Sequence, residues 1–195
     1  MTTLAALAAQ RAGGAGSTVR LLDLDLVAPS ISLLAGERTP TLLDALSAGQ
    51  VRGRRWGSAS AVFGAERDPG PEVVDAIARF VRRMAENAAV VVDAGTLGDR
   101  TAGILRACDL VVYVATPRAA HVHAATRALP ILREVGRPLR LVVSRTERAT
   151  AEEIARELGL SLAGWLPEDP LLARDEFRVR AETARAVDGM LGSLR

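Results

Sequence analysis

Short apolar runs that alternate with helix-spaced segments constrain this chain more than any other feature. "VRLLDLDL" (19–26), "AVVVDAG" (89–95), "LVVYVAT" (110–116), "LRLVVSR" (139–145) and, more weakly, "LAGWLPE" (162–168) are short and almost uninterrupted by polar residues, as strands buried on both faces are. Between them lie "PTLLDALSAG", "PEVVDAIARFVRRMAENA", "RTAGILRAC", "AAHVHAATRALPILREVG" and "TAEEIARELG", with "VRAETARAVDGMLGSL" at the end. Strands alternating with helices predict an α/β fold: a mostly parallel sheet with helices on both faces. Pro71 and Thr150 stand where helix starts are expected, and Gly136 and Gly159 where helices stop. The region from Gly49 to Pro71 is the least regular, and within it "SAVFG" reads as one further strand. The 195 residues fit a single domain spanning 1–195.

Composition narrows the function classes. Aromatic residues are 3% of the chain, so Leu, Val and Ala must build the core. All 25 basic residues are arginine, and the formal charge of +2 is too small for a strong sequence-independent hold on nucleic acid. Cys108 is the one cysteine, which excludes an internal disulfide or multi-cysteine metal site and agrees with a reducing compartment. No apolar run approaches the roughly 20 residues of a membrane span, and the first residues lack a secretory pattern, so a cytoplasmic location is expected.

"RAGGAGST" (11–18) looks like a glycine-rich phosphate loop, but its order is reversed. A phosphate loop leaves a strand and enters a helix, so that free N–H groups at the helix start face the phosphates. Here the Ala/Leu-rich "MTTLAALAAQRA" reads as a helix before the glycines, and a strand follows them. A helix C-cap and surface turn is the expectation.

The acids of "LLDLDL" carry more chemistry. In a parallel α/β sheet ligands gather at the carboxyl ends of strands, where Asp23 and Asp25, two apart, would share a face. A magnesium ion, or a water acting on a phosphate, suits such a pair, as would a helix-capping or ribose-binding role. Asp93 repeats the arrangement at the end of "AVVVD", an apolar strand closing on an acid that can hold a metal-bound water.

Together these pieces resemble the MinD/ParA group of deviant Walker A ATPases, including the CpaE/TadZ pilus-positioning and FleN-like flagellar branches. The likeness covers nearly the whole chain. "LLDLDLVAPSISLLAG" is similar to the family's strand and switch segment, "VVVDAG" to its Walker B and second switch, and "LVVSR" and "GWLPEDP" to its base-binding loops. "MTTLAALAA" is similar to the helix that follows the family's phosphate loop, with Met1 where the catalytic lysine would stand. The preceding strand and loop are absent from the sequence, so the resemblance implies an N-terminally incomplete domain in which two neighbouring strands have unpaired edges. It further implies ATP and Mg2+ as cofactors. Thr2 would be a magnesium ligand and Thr3 an α-phosphate contact. Asp25 would orient the attacking water, Asp23 and Asp93 would act through the metal's water shell, and Ser30 would be a switch residue near the γ-phosphate. Ser144 and Arg145 would read adenine, with Pro167 and Glu168 over or beside the base.

The same likeness implies spatial positioning or partitioning of a cellular structure by ATP-dependent homodimerisation, together with a protein activator or cargo adaptor. The family uses two lysines against the phosphates, and this sequence has no lysine. Losing such a charge removes about 3 to 4 kcal/mol of transition-state stabilisation, so hydrolysis is expected to be weak or absent. A catalytically silent scaffold of the same fold is the first alternative. A dinucleotide-binding oxidoreductase, with Asp25 on a ribose, is the second, though no strand-to-helix glycine fingerprint supports it. Arg52, Arg54 and Arg55 beside Trp56 could touch DNA phosphates, but read better as a solvated loop. His121 and His123 are two apart on a helix and cannot form an i, i+4 metal pair. Val187, Met190, Leu191 and Leu194 share a side of the last helix, and packing on the sheet suits them better than peripheral membrane contact.

Overall fold

The computed structural model describes residues 2–26, 28–36, 40–48, 53–64, 70–173 and 179–194. The chain divides into two compact units, Met1–Cys108 and Asp109–Arg195. In order, the first unit contains α1 (Thr2–Gly14), β1 (Val19–Asp23), α2 (Ile31–Ala35), α3 (Leu42–Ala48), β2 (Arg54–Trp56), β3 (Ala59–Val62), a 3-10 turn (Pro71–Val73), α4 (Val74–Ala85), β4 (Ala89–Asp93) and α5 (Asp99–Leu105). The second contains β5 (Val111–Ala115), α6 (Ala119–Glu134), β6 (Leu139–Ser144), α7 (Arg148–Leu158), β7 (Ser161–Leu166), a 3-10 turn (Pro170–Ala173) and α8 (Ala181–Ser193).

The first sheet runs β2-β3-β1-β4, parallel except for the β2–β3 hairpin. Its core forms where Leu22, Leu24 and Val62 meet Ile77, Phe80, Val81 and Met84, whose spacing puts them on one face of α4. Helix α1 packs on β1, β3 and β4, with Ala6, Leu7, Ala8 and Ala9 buried, since its small side chains let the backbone come close to the strands. Helix α3 starts with a reciprocal cap: the Asp44 carboxylate accepts from the Thr41 amide (2.9 Å) and hydroxyl (2.8 Å), and the Asp44 amide donates to the Thr41 oxygen (3.2 Å).

The stretch 53–56 departs from expectation. Arg54–Trp56 form an edge strand, with both arginines exposed, rather than a loop, and α1 holds its hairpin in place. Gln10 donates to the Trp56 carbonyl at 2.6 Å and accepts from the Ser58 amide at 2.8 Å, and the Ser58 hydroxyl donates to the Gln10 carbonyl. A Cβ on Gly13 would overlap the Ser58 carbonyl. Helix propensity alone favours Gly13→Ala by about 1 kcal/mol, whereas overpacking costs about 2. The expected result is therefore a net loss of about 1 kcal/mol in urea unfolding; a stabilised variant would show that this contact is loose. Arg52 lies outside the described residues.

The second sheet runs β5-β6-β7, all parallel. Leu141 and Val143 pack with Leu129 of α6 and with Ile154 and Leu158 of α7. Val187 and Met190 of α8 are buried, and that helix packs on β7, as the sequence pattern suggested. Among the described residues β2 and β4 end the first sheet and β5 and β7 end the second. No helix among the described residues is long and apolar enough to cross a membrane.

Candidate functional site

The carboxyl ends of β1 and β4 lie side by side, with Asp23 directly opposite Asp93 in the parallel register. Both side chains are buried, at 1% and 3% exposure. The ladder continues one step further, where the Leu24 amide donates to the Asp93 carbonyl at 2.8 Å. Each acid also organises the loop above it. Asp23 Oδ2 accepts from the Ile31 amide at 3.0 Å, and so caps α2 in place of Ser30, whose hydroxyl donates instead to the Ala28 carbonyl at 3.3 Å. Asp23 Oδ1 lies 3.4 Å from the Asp25 amide, and Asp25 Oδ1 accepts from the Ala28 amide at 2.9 Å. The helix-capping role weighed for the strand-end acids is thus what Asp23 performs here.

Asp25 lies just beyond the strand and meets the same centre through Gly95. That glycine has φ +64, a conformation open to few other residues, and a Cβ on it would overlap the Asp25 carboxylate. The loop after Asp93 therefore lies directly against Asp25. Asp93 Oδ1 is 3.4 Å from the Gly95 amide, while Oδ2 is buried with no hydrogen-bond partner among the described residues. Burial pushes the Asp23 carboxyl up from 3.8 to about 6; the Ile31 amide opposes this, and the Asp93 and Asp25 charges add to it. Clustered acids with a buried, unpaired oxygen suit a cation or a shared proton. Yet among the described residues no three His, Cys, Asp or Glu side chains are set to ligate one metal ion directly. A cation held here would have to be bound largely through water rather than by these side chains alone.

The remaining sequence candidates are distributed as follows. Thr2 is the first residue of α1 and Thr3 is half-buried in its first turn, so both stand at a helix N-terminus, the end that attracts anions. Met1 lies outside the described residues. In the second unit Ser144 ends β6 opposite Leu166 of β7, and its hydroxyl donates to the Ala115 carbonyl at 3.3 Å. Arg145 follows with φ 60, a left-handed backbone unusual for a non-glycine residue. Pro167 is half-buried and Glu168 exposed just past β7. His121 and His123 are both exposed on α6, and His121 Nδ1 is 2.7 Å from the Thr116 hydroxyl.

One structurally decisive acid escaped the sequence reading. Asp169, buried beside Glu168, accepts from the Leu171 and Arg180 amides at 2.9 and 2.8 Å and from the buried Thr183 hydroxyl at 2.7 Å. The signal available was an Asp-Pro pair followed by a threonine in the first turn of the last helix, but partners 11 and 14 residues away leave no local pattern.

No protein-family profile matches the sequence, and no curated protein matches it. Solved structures do. The chain is similar to the MinD cell division protein of Aquifex aeolicus, with a TM-score of 0.78 at 19% identity over 99% of this chain and 90% of that one. It is similar to a ParA family ATPase from Chlorobium tepidum, with a TM-score of 0.76 at 16% identity over 100% of this chain and 93% of the other. It is also similar to McdA in an ATP complex from Cyanothece, with a TM-score of 0.79 at 13% identity over 99% and 90%. At such identities the likeness is one of architecture, and the chain has the α/β fold of the MinD/ParA P-loop NTPase-like structures.

Proposed function

We propose that this chain is a nucleotide-binding domain that takes ATP with magnesium and acts by ATP-dependent homodimerisation in the spatial positioning or partitioning of a cellular structure, with weak or no hydrolysis. The observation that carries this reading is the meeting of Asp23, Asp25 and Asp93 at the carboxyl ends of two adjacent parallel strands, with Asp93 Oδ2 buried and without a hydrogen-bond partner among the described residues. The MinD-, ParA- and McdA-like architecture supports the nucleotide and the positioning role.

In this reading Thr2 would be a ligand of the magnesium, Asp23 and Asp93 would hold its water shell, and Asp25 would orient the attacking water. Magnesium would supply positive charge against the phosphates. Thr3 would contact the α-phosphate, and Ser30 would be a switch residue near the γ-phosphate. Ser144, Arg145, Pro167 and Glu168 are assigned to the base. A protein activator or cargo adaptor completes the assembly, without a strong contribution from DNA or membrane.

The sequence has no lysine, so the charge that the family brings to the phosphates must come from elsewhere or be missing. That observation favours a second reading, a silent scaffold of the same fold. Fluorescent ATP with magnesium separates the two. Saturable, magnesium-dependent binding that Asp93→Ala weakens about tenfold or more supports the nucleotide reading, and equal, negligible binding by both chains overturns it.

A further inference from the structure

The second unit carries a cleft of about 420 Å3 between the N-terminal half of α6 and one face of α7. Its floor is apolar, with Val122 half-buried and Ile154 buried. Its rim holds His123 and Thr126 on α6, and Glu153 and Glu157 on α7. The two glutamates are exposed one helical turn apart, a like-charge pair that disfavours itself by a few tenths of a kcal/mol. Neither has an ion-pair partner among the described residues. The adjacent Glu152 does, bonding Arg148 at 2.7 Å. Two exposed carboxylates without an ion-pair partner among the described residues thus line the cleft beside its apolar floor, a combination complementary to a cation that carries apolar neighbours.

We infer that this cleft docks an arginine-bearing segment of a partner protein. A guanidinium has five donors in a planar fork, enough to bridge two carboxylates a turn apart, where a lysine ammonium offers a single point of charge. Apolar side chains beside that arginine would cover Val122 and Ile154. The cleft is open along both helices, so a small amine would leave most of the floor in water, whereas a helix or extended segment covers it. The inference involves no nucleotide and stands apart from the carboxylate centre of the first unit.

The test uses the full chain and a labelled peptide of about 12 residues with arginine and leucine at helical spacing, read by anisotropy. Saturable binding is expected, weakened about tenfold or more by the Glu153→Gln/Glu157→Gln pair and changed less than about twofold by Glu152→Gln. Thr126→Arg, which places a guanidinium at the rim from within, is expected to block the peptide as well. Equal loss in Glu152→Gln and in the double variant would reduce the effect to unspecific attraction. Competition by free arginine amide at the peptide's own concentration range would reassign the cleft to a small cation. Either result, or the absence of saturable binding, overturns the inference.

Discussion

Replacing Asp169 by alanine is expected to destabilise the second unit by about 3 to 5 kcal/mol, because three charge-assisted hydrogen bonds end on one buried carboxylate. Arg180, at the start of α8, offers no side-chain cap of its own. Asp169 supplies that cap from 11 residues upstream and also satisfies Thr183, which is 0% exposed. Truncation leaves the Arg180 amide without this acceptor and a buried hydroxyl without a partner, and α8 loses what sets its start against β7. Thr183→Val removes one bond and is expected to cost about 1 kcal/mol. Asp169→Asn keeps acceptor capacity and should fall between the two. Urea unfolding followed by circular dichroism measures the ranking, and amide exchange in α8 localises it. An Asp169→Ala chain within about 0.5 kcal/mol of the parent would show that packing alone fixes α8.

The acid limb has a defined sign. Burial pushes the Asp169 carboxyl up, but the Arg180 amide, the Thr183 hydroxyl, the Leu171 amide and the Arg180 charge outweigh it and hold the group below its ordinary 3.8. A depressed carboxyl contributes stability that is present above 3.8 and is lost as pH falls through its folded value, so this contribution disappears only in strong acid.

What was legible in the sequence followed from local pattern. The parallel strands β1, β4, β5 and β6 announce themselves because burial on both faces demands apolar side chains throughout. Strand β2 does not, since Arg54 and Arg55 are exposed at a sheet edge and the hairpin is fixed by Gln10, 46 residues from Trp56. Helix α2 has five residues and a cap delivered by Asp23, eight positions before Ile31, so neither length nor a neighbouring side chain marks it. The candidate site divides the same way. Strand-end acids can be picked out one by one, but that Asp23 faces Asp93 is a matter of register between strands some 70 positions apart in the numbering, and register depends on the assembled sheet. That Gly95 is needed because Asp25 presses on it is likewise visible only in three dimensions.

Between pH 5 and pH 8 the protein is expected to lose about 1 kcal/mol of stability through Asp23 alone, a trend opposite to that of most salt-bridged carboxylates. The carboxyl is raised from 3.8 to about 6 in the fold, so the folded state binds its proton more tightly than the unfolded chain does. Stability is then greatest where the folded group is protonated and falls as pH rises towards and past 6, by about 3 kcal/mol for the full shift. For a chain of this size about 1 kcal/mol lowers the thermal midpoint by about 2 to 4 °C. Asp23→Asn keeps an acceptor for the Ile31 amide but cannot ionise, so the difference between the two chains isolates this group from every other titrating side chain. The variant should be the less pH-dependent of the two, and parallel profiles would refute the burial argument. A bound divalent cation favours the ionised acid, so magnesium with ATP is expected to raise the parent's midpoint more at pH 8 than at pH 5. If the proposed site binds magnesium, proton and cation would compete for one buried cluster, and the pH dependence of the magnesium effect reads that competition without catalysis.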